Sequence, residues 1–126
     1  MKKQIFKVKP HRNRLDAKWS KIIRARDQFC QKCGRVDGTP DAAHILSRVH
    51  LSTRYSLANG IRLCKRDHKF WWHDDPVLAS DWVRQKFGDE RIKWLIAESS
   101  KLIRWSPEFV AATETYLDAE LARLEK

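Results

Sequence analysis

Three cysteines are the residues whose types and spacing most clearly suit a chemical role. Cys30 and Cys33 form a Cys-x2-Cys motif, and Cys64 follows later in the chain. Three thiolates favour a structural zinc site, which takes four ligands drawn mainly from Cys and His. Asp67 stands where a second Cys-x2-Cys would end, whereas His68 is chemically the commoner partner of three thiolates. We predict a zinc site of Cys30, Cys33, Cys64 and His68, with Asp67 as the alternative fourth ligand.

The number of cysteines also bears on where the chain works. Three cysteines cannot all pair within one chain, and a Cys-x2-Cys motif is more typical of metal binding than of a disulfide scaffold. No apolar run approaches the length needed to cross a bilayer. We therefore expect a cytoplasmic protein that does not engage a membrane.

Two histidines and an asparagine surround the cysteines. His44, Asn59 and His68 are spaced His-x14-Asn-x8-His. An imidazole titrates near neutral pH, so it is suited to proton transfer. A lone histidine on an apolar strand is usually a core residue, and Asn before Gly is typical of a turn. A catalytic use of His44 would therefore depend on the three residues together and not on any one of them.

Short secondary-structure elements must position these side chains. Apolar spacing and turn residues predict a helix over 15–27, strands over 42–46 and 61–63, and a helix from about Lys65. His44 then lies on the first strand, Asn59 at the turn into the second, and His68 on the helix that follows. The pattern around the cysteines is therefore strand, strand, helix.

The last part of the chain is predicted to be helical. One helix over 77–87 ends at Gly88, a second after Asp89 has an apolar stripe reaching Ile103, and a third begins at Ser106 and Pro107. None of these helices carries a chemical motif. We expect them to be structural, or to form a homodimer or partner surface.

Charge divides this chain of 126 residues unevenly. Its net charge is +10; residues 1–76 hold 18 Lys and Arg against 7 Asp and Glu, whereas residues 77–126 hold 8 against 9. A one-sided basic segment beside a folded domain is typical of nucleic-acid binding. We predict a flexible basic arm over 1–14, a core over 15–76, and a helical C-terminal extension over 77–126.

The order and spacing of these residues resemble the HNH nucleases of the His-Me finger (ββα-metal) superfamily. The resemblance covers roughly residues 15–76 and is carried by Arg26-Asp27-Gln28-Phe29-Cys30-x2-Cys33-Gly34, Ala43-His44-Ile45, Asn59, Leu63-Cys64 and Asp67-His68. The segment Trp71–Pro76 and the Trp-rich helices look like the small phage- and prophage-encoded members. The implied fold is α+β, with a zinc-stapled ββα-metal (HNH) core between the basic N-terminal arm and the C-terminal helical extension.

The resemblance implies an endonuclease that hydrolyses DNA phosphodiester bonds with one divalent cation, magnesium or manganese. By position, His44 matches the family's general base. Asn59 matches the central Asn, which braces the base or helps to hold the cation, and His68 matches the last His of the motif. Together, His44, Asn59 and His68 are the expected catalytic residues.

The chain departs from the family pattern at the metal ligands. The family usually has Asp or His immediately before the base, where this chain has Ala43. Asp41 is similar in position to the Asp of the Asp-x-x-His arrangement in the non-specific His-Me finger nucleases. If His68 closes the zinc site, His73 is the leading spare imidazole; if Asp67 closes it, His68 is free for its motif role. We expect the catalytic metal near Asp41, Asn59 and His73.

Four arginines are the expected contacts to DNA phosphates, because a guanidinium matches a phosphate bidentately. They are Arg12 and Arg14 in the arm and Arg48 and Arg54 in the loop before Asn59. A rival interpretation takes the loss of a ligand at Ala43 as real. The chain would then be a non-catalytic zinc-containing DNA-binding module of a phage recombination or packaging complex.

Overall fold

The computed structural model describes residues 5–125 and places helices around a two-stranded antiparallel sheet. The elements in chain order are α1 (Val8–Asp27), β1 (Pro40–His44), α2 (Leu51–Arg54), β2 (Gly60–Cys64), α3 (Pro76–Phe87), α4 (Asp89–Ser99) and α5 (Pro107–Leu124). A 3₁₀ turn over Leu57–Asn59 precedes β2, and a π-helical segment over Asp67–Trp72 follows it. The predicted α+β class is confirmed. Within residues 5–125, no helix is long and apolar enough to span a membrane.

The two predicted strands form one hairpin. In its register His44 lies opposite Gly60, and Pro40 lies opposite Cys64. β1 ends at His44, earlier than predicted, because the backbone of Leu46 bonds to the side chain of Asn59 instead of continuing the strand. The hairpin thus delivers His44 to one end of the sheet and Cys64 to the other.

The first helix is longer than predicted. α1 begins at Val8, so residues 8–14 are its first turns and not part of a flexible arm, which corrects the prediction for 1–14. The partly buried Phe6 packs against the apolar cluster under α1, and Arg14 bonds Glu114 on α5, which together explain the early start. Residues 1–4 of the predicted arm lie outside the described residues.

Two apolar clusters sandwich the hairpin. The first joins α1 to α5 and contains Leu15, Trp19, Ile22, Ile23, Tyr55, Val110 and Leu117. The second contains Cys30, Ala43, Ile61, Leu63 and Cys64, with Trp71, Trp72 and Trp82 packed against it. Neighbouring residues of a strand point to opposite faces, so Ala42 packs on the first cluster and Ala43 on the second.

The C-terminal helices have the predicted residues at their ends, with one exception. Gly88 ends α3 at φ +88°, and the Ser106 hydroxyl accepts the Phe109 N–H at 3.0 Å to cap α5. α4 ends at Ser99 and does not reach Ile103. α5 packs along α1, and the Ser52 hydroxyl donates to the Glu98 carbonyl at 2.6 Å, which ties α4 to α2.

Candidate metal centre and histidine-lined cavity

Four side chains converge at the end of the hairpin to form a cluster that could hold a metal ion. The ligand atoms of Cys30, Cys33, Cys64 and Asp67 all lie within 4.8 Å of one another, and the three cysteines are free thiols. The Cys33 and Cys64 sulfurs are 3.8 Å apart, and the Cys30 sulfur is 3.3 Å from Asp67 Oδ2. Two thiolates on a tetrahedral zinc, each about 2.3 Å from it, stand roughly 3.8 Å apart. The donor set and its spacing therefore fit zinc.

Two turns bring the four ligands together. After α1, the Cys30 N–H donates to the Arg35 carbonyl at 2.9 Å and the Gly34 N–H donates to the Cys30 carbonyl at 2.8 Å. Gly34 has φ +81°, a left-handed conformation that suits glycine. At the other turn, the Asp67 N–H donates to the Cys64 sulfur at 3.4 Å. Each pair of ligands is thus held by local backbone hydrogen bonds.

The carboxylate of Asp67 is ionised in this cluster. Its burial acts to raise its pKa, but hydrogen bonds from the Cys33, Cys30 and Cys64 thiols outweigh burial and lower the pKa below its ordinary value. An ionised carboxylate is the form that ligates a metal. Asp67 is therefore a suitable fourth donor.

His68 lies elsewhere, which corrects the preference for it as the fourth ligand. Its Nδ1 is 3.0 Å from Asp41 Oδ2 on β1. Adjacent residues of a helical segment point in different directions, so His68 is turned away when Asp67 faces the cysteines. The structure places Asp67, the alternative ligand, in the cluster, and His68 lies outside it.

His68 and two other histidines line a cavity of about 700 Å³ beside β1. The walls include His44, Trp19 on α1, Arg48 in the loop after β1, and His73 after the π-helical segment. Arg48 is exposed and makes no ion pair with any residue in the range 5–125. The cavity thus joins three imidazoles and one unpaired guanidinium.

His44 is fixed by two contacts. Its ring stacks on Trp19 with the centroids 4.0 Å apart and the planes 9° from parallel, and its Nε2 lies 3.0 Å from the Arg54 carbonyl oxygen. A carbonyl can only accept, so Nε2 carries the hydrogen and Nδ1 of the neutral ring keeps its lone pair. Among the described residues, Nδ1 has no hydrogen-bond partner. His44 therefore presents one open basic nitrogen.

Burial lowers the pKa of His44 to about 4. The positive charges of Arg54 and Arg48 act in the same direction, while the bond to the Arg54 carbonyl and the charge of Asp16 oppose it. The imidazole is consequently neutral at physiological pH, which is the protonation state of a base.

His68 and His73 face each other because the helix widens between them. Residues five apart in an α-helix point about 140° away from each other, whereas the i→i+5 bonds of a π-helix place such residues nearly above one another. Here His68 Nε2 and His73 Nε2 are 3.1 Å apart. Two cis imidazoles on one cation, bound at about 2.0–2.1 Å, have nitrogens roughly 2.9–3.4 Å apart. The pair has the spacing of two metal ligands.

Asp41 orients this pair and does not join it, which corrects its prediction as a metal ligand. Its carboxylate accepts from His68 Nδ1 and forms an ion pair with Lys65. Burial opposes ionisation of Asp41, but the hydrogen bonds from Lys65 and His68 lower its pKa. With Nδ1–H directed at Asp41, the lone pair of His68 is on Nε2, facing His73.

Asn59 is a brace, which corrects the prediction that it holds the catalytic metal. Its side chain is 0% exposed, and Oδ1 accepts the Leu46 N–H at 2.7 Å. Nδ2 donates to the carbonyls of Leu46 and Thr53, both at 3.1 Å. Because both amide hydrogens and the carbonyl oxygen bond the backbone and the side chain is fully buried, Asn59 fixes the loop that presents the Arg54 carbonyl to His44.

Two of the four predicted DNA-contacting arginines form ion pairs with acidic side chains of the described residues. Arg54, whose side chain is 12% exposed, bonds both carboxylate oxygens of Asp16, at 3.0 and 2.7 Å. Arg14 bonds both oxygens of Glu114, at 2.7 and 3.2 Å. The buried pair with Asp16 corrects the prediction for Arg54, whereas the Arg14 side chain is 40% exposed and its DNA contact stays a prediction. Arg12 has no ion pair among residues 5–125.

Sequence reasoning missed the framework role of Arg26 and Asp27. Arg26 donates to the carbonyls of Leu57 and Gly60, at 2.6 and 2.8 Å, and Asp27 accepts the Arg62 N–H at 2.9 Å. The end of α1 is thereby tied to β2. The Arg-Asp pair directly before the cysteine turn was the available signal, since a charged pair at a helix end often bonds neighbouring backbone.

No family model matches this chain, and neither a curated protein nor a solved structure matches it at a significant level.

Proposed function

We propose that this protein is a metal-dependent endonuclease that hydrolyses DNA phosphodiester bonds, with an HNH-type hairpin and helix at its centre. The observation that carries the proposal is the cavity in which His44 keeps an open Nδ1 while Nε2 is bound to the Arg54 carbonyl. The same cavity holds the His68–His73 pair and the exposed Arg48. Such a hydrolysis needs a general base, a site for a metal cation and a positively charged side chain that binds the phosphate.

His44 acts as the general base. Its Nδ1 takes a proton from a water molecule whose oxygen forms a bond to phosphorus, and the bond from phosphorus to the departing sugar oxygen breaks. Arg48 is placed to bind a phosphate oxygen from the rim of the cavity, with a guanidinium that no described acidic residue engages.

His68 and His73 would hold the divalent cation. A cation there stabilises the charge that develops on the phosphate and on the departing oxygen. Asp41 supports the site through His68, as carboxylates commonly do for metal-binding histidines. Imidazole donors suit nickel, whereas magnesium and manganese prefer oxygen donors, so we expect nickel to support cleavage best and manganese to follow it.

The cluster of Cys30, Cys33, Cys64 and Asp67 is the structural zinc site in this proposal. It joins the end of α1 and the end of β2 to the π-helical segment. His68 is the next residue after Asp67, so zinc at the cluster fixes the start of the segment that carries the catalytic pair. The two sites have separate ligands, and no imidazole is shared between them.

DNA as the substrate is supported by charge. The chain carries a net +10, with the excess on residues 1–76. α5 neutralises part of that excess, because Glu114 and Asp118 pair with Arg14 and Lys18. We therefore assign DNA contact to the cavity side of the molecule, where Arg48 lies, and not to the face of α1 covered by α5.

A plasmid-nicking assay tests the proposal. Supercoiled plasmid is incubated with the zinc-loaded protein and Mg²⁺, Mn²⁺ or Ni²⁺, with EDTA as a blank. We expect nicking with Mn²⁺ or Ni²⁺, and its loss in His44→Ala. His50→Ala, which changes an exposed histidine of the neighbouring loop, is the matched control and should cleave like the wild type.

Two outcomes would contradict the proposal. Cleavage by His44→Ala at the wild-type rate would remove His44 from the chemistry. DNA binding without cleavage under every metal would instead support a non-catalytic zinc-containing DNA-binding module.

A further inference from the structure

We propose that Trp19, on α1 and outside the hairpin, is a positioning residue that holds the His44 ring in the orientation its role as base requires. This inference rests on the proposed function. It adds a residue of α1 to the proposed catalytic site. The effect of Trp19 on the orientation of the His44 ring can be measured without DNA.

The stack restrains a rotation that the hairpin leaves open. The outer torsion of a histidine side chain has a broad, roughly two-fold profile, so the ring plane can tilt, and a half-turn of the ring exchanges Nδ1 with Cδ2 and Nε2 with Cε1. A single hydrogen bond from Nε2 to the Arg54 carbonyl is the other restraint on His44. Trp19 covers the ring face at 4.0 Å, nearly parallel to it. The indole therefore restrains the tilt of the ring plane, and the hydrogen bond selects the half-turn that keeps Nε2 protonated at the carbonyl. A ring free to tilt would lose that hydrogen bond, and with it the selection of one tautomer.

Trp19 can restrain His44 because Trp19 is itself immobilised. The residue is 2% exposed, and its Nε1–H donates to the Ser56 carbonyl at 3.0 Å. It also lies against the backbone of Gly60, where an added Cβ would come within 2.7 Å of Trp19 Cζ2 and 2.5 Å of Ile23 Cδ1. Gly60 is the strand partner of His44. The missing side chain at Gly60 thus lets the indole sit where it meets the imidazole.

Three substitutions separate positioning from ordinary core packing. Trp19→Phe keeps an aromatic ring but loses the Nε1–H and part of the indole surface, whereas Trp19→Leu keeps apolar bulk and loses aromaticity altogether. Leu15→Ala is the control, because it opens the same cluster on the same helix at a residue that does not line the cavity. Gly60→Ala is a second route to the same effect, since the added Cβ would displace the Trp19 indole, together with the Ile23 side chain, without changing the indole itself.

The first measurement is the tautomer of His44 by long-range ¹H–¹⁵N NMR on the zinc-loaded protein without DNA. We expect the Nε2–H form in the wild type, Trp19→Phe and Leu15→Ala, and a mixture of tautomers in Trp19→Leu and Gly60→Ala. A single Nε2–H form in Trp19→Leu would overturn the inference. Should Trp19→Leu fail to fold, the spectrum of Gly60→Ala decides in the same way.

The second measurement is the nicking rate with Mn²⁺. We expect Trp19→Leu to lose about 10-fold or more, since misplacement of a reacting group by a full ångström can cost about 100-fold. Leu15→Ala should stay within a few-fold of wild type. Equal losses in Trp19→Leu and Leu15→Ala would show that Trp19 acts through stability alone. If the wild type does not cleave at all, the proposed function fails, and the NMR result still decides whether Trp19 positions His44.

Discussion

The low pKa of His44 predicts a specific loss of stability in mild acid, and removal of its imidazole should abolish that loss. The folded protein holds His44 neutral, with a pKa lowered to about 4, whereas the unfolded chain protonates this side chain at about 6.5. The unfolded state therefore binds more protons in this window. The contribution of His44 to stability is complete above the unfolded pKa and declines as the pH falls from 6.5 towards 4.

The size of the effect follows from the two pKa values. Between pH 7.5 and 5.5 the unfolded imidazole goes from about one-tenth to about nine-tenths protonated, while the folded one stays neutral, which costs about 1.3 kcal/mol. Extended to pH 4, the same linkage approaches about 3 kcal/mol. The narrower range is preferable, because it keeps the cysteine cluster away from strongly acidic conditions.

The assay is urea unfolding of the wild type and of His44→Phe at pH 7.5 and 5.5 with a fixed excess of zinc. Phe keeps a ring against Trp19 and cannot titrate. We expect the wild type to lose about 1.3 kcal/mol more than the variant between the two pH values. Equal losses in the two proteins would refute the reasoning, because all other titrating groups are common to both.

Three further predictions concern the metal cluster, the buried amide and the arginines. Asp67→Ala should lose bound zinc in elemental analysis while His68→Ala keeps it, and the reverse result would contradict the assignment of the fourth ligand. Asn59→Ala should lower the free energy of unfolding by roughly 3 kcal/mol, because it leaves buried backbone groups unpaired; a loss below about 1 kcal/mol by urea unfolding would count against the brace. Arg48→Ala should weaken DNA binding and reduce the salt dependence of binding by about one charge. Arg54→Ala makes an equal change in charge but should mainly lower the free energy of unfolding. Binding titrations at two salt concentrations distinguish the two variants, and a larger effect on binding in Arg54→Ala would oppose the prediction.

Much of the fold was predictable because local signals agree with tertiary packing. The strand carrying His44 was predicted over 42–46 and lies over Pro40–His44, and the cap at Ser106 is where the turn residues place it. The cysteine spacing also predicted three of the four members of the metal cluster. These features depend on residues close together in the chain, which a sequence exposes directly.

The site details were harder because they depend on partners distant in the chain. Arg54 was predicted to be free for phosphate, but its partner Asp16 lies on another helix, and a sequence gives no reason to pair them. The choice of the fourth ligand, Asp67 or His68, likewise depended on a distant residue, because Asp41 binds the His68 imidazole outside the cysteine cluster. Ligand chemistry alone favoured the histidine, and geometry selected the carboxylate.

The π-helical segment means that this stretch of chain is one residue longer than an α-helix would need. Its i→i+5 bonds enclose one more residue per turn than the i→i+4 bonds of an α-helix. Removing the exposed Phe70 would therefore leave the two histidines four apart, a spacing at which an ordinary α-helix already places side chains on one face. We therefore expect that deletion of one residue between His68 and His73 keeps the two imidazoles together, whereas insertion of one residue separates them.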